Sequence, residues 1–283
     1  MIKANTTIIY FYIALMDSFA EYLSNLNKES SFENADYYKI IIIQKIVRMF
    51  HTLKVLTNES VDEVSVRCVL RGILDSIATY SFIYQREDKD EIMFRHYLYV
   101  LDGVVSYYQC VTKNIMGKEI ANNSFESLCN EIIRQLQKKL ASHPYSNQKC
   151  KNVKNIINNA NWRYETLNNT QSVNYLTMYR RLGFDDNMAK YYQCYLSHFS
   201  HGLSLSNMLL KDSNQMKRVL FESIPLAERF IHSICNTFPY EKMLHNALDS
   251  RPVLEIFNGS DFNYENLSNY AKALINQDRT LLI

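Results

Sequence analysis

Apolar residues recur along this chain at the three- and four-residue steps of an α-helix, and the polar gaps between those stripes mark off the predicted elements. The apolar run 8–16 continues as Phe19, Tyr22, Leu23 and Leu26, which predicts one helix over 6–26, closed by the polar stretch 27–36. A second helix is predicted over 37–56. Ser60 followed by Asp62 and Glu63 makes a helix start, because acidic groups there face the positive end of the helix dipole. That third helix runs to about residue 85, with Val66, Leu70, Ile73, Ile77 and Tyr84 on one face. Beyond the charged cluster 86–91, a fourth carries Met93, Tyr97, Leu101, Val105 and Tyr108. Ser124 is placed to cap a fifth, in which Leu128, Ile132, Leu136 and Leu140 repeat at helical spacing.

The second half is less regular. Residues 142–149 contain His143-Pro144 and read as the clearest loop, the one weak boundary (142–150) in a single domain over 1–283. The asparagine-rich stretch 151–169 reads as a connection with partial helix. A short helix over 172–182 should stop at Gly183, and Asp185 or Asp186 should cap the next one, which reaches His201. Pro225 should kink or divide the helix predicted over 213–237, and a last helix covers 264–277. No alternating run stands out as a strand pair. The expectation is an all-α fold: a helical bundle core with additional peripheral helices.

Composition supports long helices, since the whole chain holds six glycines and four prolines, too little punctuation for a sheet-rich fold. The formal net charge of +2 gives no general field favouring nucleic acid or an anionic membrane. The run 8–16 behind Lys3 superficially resembles a signal peptide, but it is far shorter than the ~20 apolar residues of a spanning helix. No membrane association is expected. The six cysteines are scattered without a Cys-x-x-Cys pair, which fits reduced thiols and a cytoplasmic protein.

Phosphate-cradling glycine loops, a G-x-S-x-G elbow and an H-E-x-x-H motif are all missing from the sequence, so no cofactor is implied. The densest polar constellation runs from Tyr191 to Gly202. On a helix, Cys194, Ser197 and His201 share a face, while Tyr191, Tyr195 and His198 line the next strip. Two imidazoles about one turn apart suit acid–base work, and His198 with His201 is also a metal candidate. The plainer reading makes the tyrosines and Phe199 a core stripe and Gly202 a C-cap. A second constellation is Arg67, Arg71 and Asp75, on the far side of the wheel from the apolar stripe of the third helix. Arg71 and Asp75 read as a solvated pair worth about 0.3–0.5 kcal/mol. Ala78 and Phe82 lie on that same side, so a second covering layer would instead bury Arg71 and demand a partner for it. Trp162, Arg163 and Tyr164 could form a stacking platform for a base, although a buried tryptophan is the commoner outcome.

The run Arg71-Gly72-Ile73-Leu74-Asp75 resembles the R-x-x-x-E pattern of a bacterial all-helical family with no assigned function. In that family a tryptophan, a tyrosine-rich helix and S-x-x-x-H-G follow; here these are Trp162, Tyr191 and Tyr195, and Ser197 with His201-Gly202. Asp75 departs from the family's usual glutamate, which shortens the carboxylate's reach. The resemblance implies a bundle that brings Arg71, Asp75 and His201 together. The family is distantly similar to the HEPN helical proteins, many of them ribonucleases of toxin and phage-defence systems. The HEPN spacing of an arginine followed after four to six residues by histidine is, however, missing from this sequence.

Two functional expectations follow. In the first, the protein acts on RNA or a nucleotide: Arg71 holds a phosphate oxygen, His201 is the general acid or base, Asp75 orients one of them, and Ser197 belongs to the same site. In the second, the protein binds a protein partner without catalysis, and the same residues form a buried network that fixes helix register.

Overall fold

The first apolar run is buried on every side. Ile9 through Met16 are each at most 6% exposed, and a helix apolar all round belongs at the centre of its neighbours. This is α1 (Ile2–Leu26). The computed structural model describes residues 2–27, 29, 31, 33–58, 63–113, 123–147, 152–201, 213–238 and 264–277. After α1 come α2 (Ala35–Asn58), α3 (Glu63–Tyr84), α4 (Lys89–Lys113) and α5 (Asn123–Ser142), a short 3-10 turn at Pro144–Asn147 and α6 (Val153–Asn158). A small hairpin follows, with β1 (Tyr164–Thr166) antiparallel to β2 (Asn169–Ser172). The chain continues as α7 (Tyr175–Arg181), α8 (Asp186–Ser200), α9 (Ser213–Thr237) and α10 (Tyr264–Gln277). The fold is predominantly all-α, as the periodicity predicts.

The chain packs as two compact units rather than around one core. The first comprises residues 1–29, 36–81 and 175–283, the second residues 30–35 and 82–174. The divide falls after Ser81, within the unbroken helix α3, so no proline, glycine or polar run marks it in the sequence. The stretch 142–150 lies inside the second unit. In the first unit α1 packs along α9 and α10, while in the second α4 packs along α5.

Local chemistry explains the helix boundaries. Asp185 caps α8, its carboxylate accepting the Met188 N–H at 2.9 Å. Gly183, at φ +86°, ends the preceding segment in the left-handed conformation that suits glycine. Two expectations need correction. The stretch read as a connection with partial helix does hold α6, but it also enters a hairpin where no strand pair was expected, and the helix expected from 172 begins only at Tyr175. The strand Asn169–Ser172 is polar and largely exposed, so no apolar alternation could announce it. Of the two outcomes expected at Pro225, division does not occur, since α9 continues through it. Ser60 and Gly202, both read as caps, lie outside the described residues. No described helix is long and apolar enough to cross a membrane.

Candidate functional site

Helix α3 carries two arginines one turn apart, and each meets α8. The Arg71 Nε donates to Asp75 Oδ2 at 2.9 Å, the one-turn pair that the sequence makes available. Its Nη1 donates to the Gln193 carbonyl at 3.1 Å and to Ser197 Oγ at 3.0 Å. From α7, the Tyr179 hydroxyl donates to Asp75 Oδ1, and the Arg71 guanidinium lies 5.6 Å from the centre of the Tyr179 ring. Burial first, then the neighbouring Asp75 carboxylate, pushes the Tyr179 phenol well above its ordinary range, so it remains a donor. The Arg71 side chain is 13% exposed and that of Asp75 31%, so the pair is covered by a second layer and is not a solvated surface pair.

Three of the four predicted site residues, Arg71, Asp75 and Ser197, therefore meet. The fourth, His201, is the exposed C-cap of α8, and its backbone N–H bonds to the Ser197 carbonyl at 3.1 Å. Among the described residues, its imidazole makes no hydrogen bond to Arg71 or Asp75. His198 is half-buried, with Nδ1 sealed from solvent and lacking a hydrogen-bond partner among the described residues. No group of three or more His, Cys, Asp or Glu among the described residues is placed to hold a metal ion, which leaves the His198 and His201 candidates without a third ligand.

The more deeply buried arginine is Arg67, at 0% exposure. Its Nε donates to Glu63 Oε1 at 2.6 Å and its Nη1 to Glu222 Oε2 of α9 at 2.8 Å. The guanidinium lies 4.6 Å from the Tyr195 ring centre and 5.1 Å from that of Phe199, which gives the aromatic stripe of α8 its partner. Burial opposes the charge on Arg67, but Glu222 and Glu63 outweigh it and push its pKa up. Tyr191 donates to Glu222 Oε1 at 2.8 Å and stacks on Tyr195 with ring centres 5.0 Å apart. Arg67 Nη2 and Glu63 Oε2 are buried without partners among the described residues.

The second unit repeats this device. Arg95, also fully buried, donates through Nε to Glu91 at 2.7 Å and through Nη1 to the Trp162 and Tyr164 carbonyls at 3.0 and 2.9 Å. Its guanidinium sits 3.8 Å from the Tyr164 ring centre, so a single arginine ties the hairpin to α4. Trp162 is 7% exposed and Tyr164 fully buried, which leaves no accessible stacking platform; the indole N–H donates to Asp102 Oδ2 at 3.1 Å.

Sequence reasoning missed Tyr179, Glu63 and Glu222 as members of these networks. Glu63 was legible, since it precedes Arg67 by one turn. Glu222, 155 residues from Arg67, carries no local signal. No family model matches this sequence, and no curated protein or solved structure is similar to it.

Proposed function

We propose that this chain is a helical interaction module in which Arg71, Asp75, Tyr179 and Ser197 form a polar tie that sets the register of α3 against α7 and α8. One observation carries the reading: the Nε and Nη1 donors of Arg71 end on protein acceptors. A phosphate-binding arginine needs its donor fork turned toward the ligand, and here most of that fork is spent inside the fold. The imidazole expected to do acid–base work stands exposed at the helix end, outside the tie. On the outside of the same unit, Val64 and Phe221 are exposed beside Glu63 and Glu222 in sequence and offer apolar contacts to a protein partner.

A second reading, a HEPN-like protein acting on RNA or a nucleotide, has one observation in its favour. Asp75 keeps about a third of its side chain in solvent, beside a guanidinium and a hydroxyl. The two readings part on one experiment: incubation of the purified full chain, as wild type, Arg71→Ala and His201→Ala, with total cellular RNA, alongside melting curves. The module reading expects no protein-dependent cleavage, a lower Tm for Arg71→Ala and an unchanged Tm for His201→Ala. Cleavage that disappears in His201→Ala at unchanged Tm would overturn it in favour of the nuclease.

A further inference from the structure

Within the first unit, three helices each contribute two polar side chains, one helical turn apart, to a single cavity of about 350 Å³. Helix α1 supplies Asp17 and Glu21, α2 supplies Gln44 and Arg48, and α10 supplies Ser268 and Lys272. The buried Ala20 and Val47 form its apolar floor. That volume falls within the roughly 300–1,000 Å³ of small-molecule sites.

The charges are segregated. Both carboxylates stand on α1, and both cations stand on the other two helices. Arg48 is exposed and has no ion-pair partner among the described residues, none of which occupies its bidentate fork. Lys272 reaches Glu21 only at 3.4 Å, with both side chains at least half exposed, a loose contact that a ligand can replace at little cost. Asp17 is fixed by His51, whose Nε2 lies 2.5 Å from Oδ2. The cavity therefore presents an acidic wall facing a basic and amide-bearing one, independently of the Arg71 tie.

We infer that this cavity binds a small amino-acid-like zwitterion, with its carboxylate on Arg48 and Lys272 and its ammonium toward Asp17 and Glu21. A simple anion meets the two carboxylates and a simple cation meets Arg48 and Lys272, so only a molecule carrying both charges is matched at both walls. Gln44, whose Nε2 already donates to Ser24 Oγ at 2.8 Å, and Ser268 add hydrogen-bonding groups to the lining, and the small apolar floor suits a short aliphatic side chain.

The test is isothermal titration of the full chain with individual amino acids, and separately with acetate, inorganic phosphate and methylammonium. Saturable binding of one or more amino acids is expected, together with little or none of the single-charge probes. Arg48→Gln and Glu21→Gln alter exposed side chains, so both variants should fold, and each should weaken that binding roughly tenfold or more. Lack of binding by every amino acid at millimolar concentration would overturn the proposal. So would acetate or phosphate binding as tightly as the zwitterion, or wild-type affinity in both variants.

Discussion

Arg71 and Ser197, 126 residues apart in the chain, are joined by a 3.0 Å hydrogen bond from guanidinium to hydroxyl. The bond fixes where α8 lies along α3, because the same nitrogen also donates to the Gln193 carbonyl one turn earlier on α8. Removing the arginine leaves the partly covered Asp75 without its cation. Arg71→Ala should therefore destabilise the protein by about 2–3 kcal/mol, and Ser197→Ala by about 1 kcal/mol. His201→Ala, at an exposed helix end, should stay within about 0.5 kcal/mol. Urea unfolding of the three variants checks the order, and a large loss in His201→Ala would mean that the imidazole belongs to the tie after all.

The Glu63–Arg67–Glu222 group gives a sharper contrast. Removing one partner of a buried ion pair strands a charge, so Glu222→Ala should cost about 3–5 kcal/mol. Replacing all three by apolar residues of similar size strands no buried charge, and takes Glu222 only from the half-buried Tyr191 hydroxyl and the exposed Arg218. The triple variant Glu63→Leu, Arg67→Met, Glu222→Leu should be far more stable than Glu222→Ala and close to wild type. Denaturant midpoints decide it: a triple variant as unstable as the single one would show that these charges stabilise the fold beyond mutual compensation.

These two networks also show what could be read from sequence. Helical periodicity located most helices because burial usually follows one stripe, as in Leu136 and Leu140 of α5, although Leu128 at the start of that stripe is 61% exposed and α1 is buried all round. The Arg71–Asp75 and Glu63–Arg67 pairs were accessible because one-turn spacing is local. Tyr179 and Glu222 were not, since nothing in a single sequence says which distant helix covers a charged face. The hairpin escaped for another reason. Its first strand is tied to α4 by Arg95, which reaches the Trp162 and Tyr164 carbonyls, and a side chain bonding to backbone leaves no trace in the hydrophobic pattern.

Two glycines in the first unit should respond differently to alanine. Gly183 adopts φ +86°, and a Cβ there would lie 3.1 Å from Arg229 Nη1, whose Nη2 donates to the Gly183 carbonyl at 3.0 Å. Gly183→Ala should cost about 1–2 kcal/mol from the left-handed backbone alone. Gly72 lies inside α3, where a Cβ would come 2.6 Å from the Met49 methyl, the flexible end of a side chain. The gain in helix propensity, about 1 kcal/mol, offsets the cost of moving that methyl, so Gly72→Ala should be nearly neutral. Thermal melts of both variants test this, and equal destabilisation would contradict it.

In the second unit, Arg95→Lys should behave as a deletion rather than a conservative change. An ammonium cannot hold Glu91 and two carbonyls in the fork geometry, and it loses the flat face set 3.8 Å from the Tyr164 ring centre. A loss of about 2–4 kcal/mol is expected, concentrated where the hairpin meets α4. Hydrogen exchange should report faster opening at Tyr164 to Ser172, and unchanged protection there would show that the aromatic contacts of Trp162 suffice.

His143 should make this unit sensitive to mild acid. Burial lowers its pKa, with Asp90 and Asp88 opposing, and its Nδ1 accepts the Tyr145 N–H at 3.2 Å, a bond that protonation of that nitrogen destroys. The ring also packs against Phe94 and Tyr97. The unfolded chain, with an imidazole pKa of about 6.5, binds the proton more readily than the folded one, so stability rises with pH across the interval between the two values. Above about pH 6.5 the contribution is fully present, and it is lost as pH falls from there toward the depressed folded value. His143→Gln removes the titration. The difference in denaturant stability between wild type and variant should therefore change between pH 7.5 and 5.5, with wild type losing more on acidification. Parallel pH profiles for the two proteins would show that the imidazole is not held neutral by its surroundings.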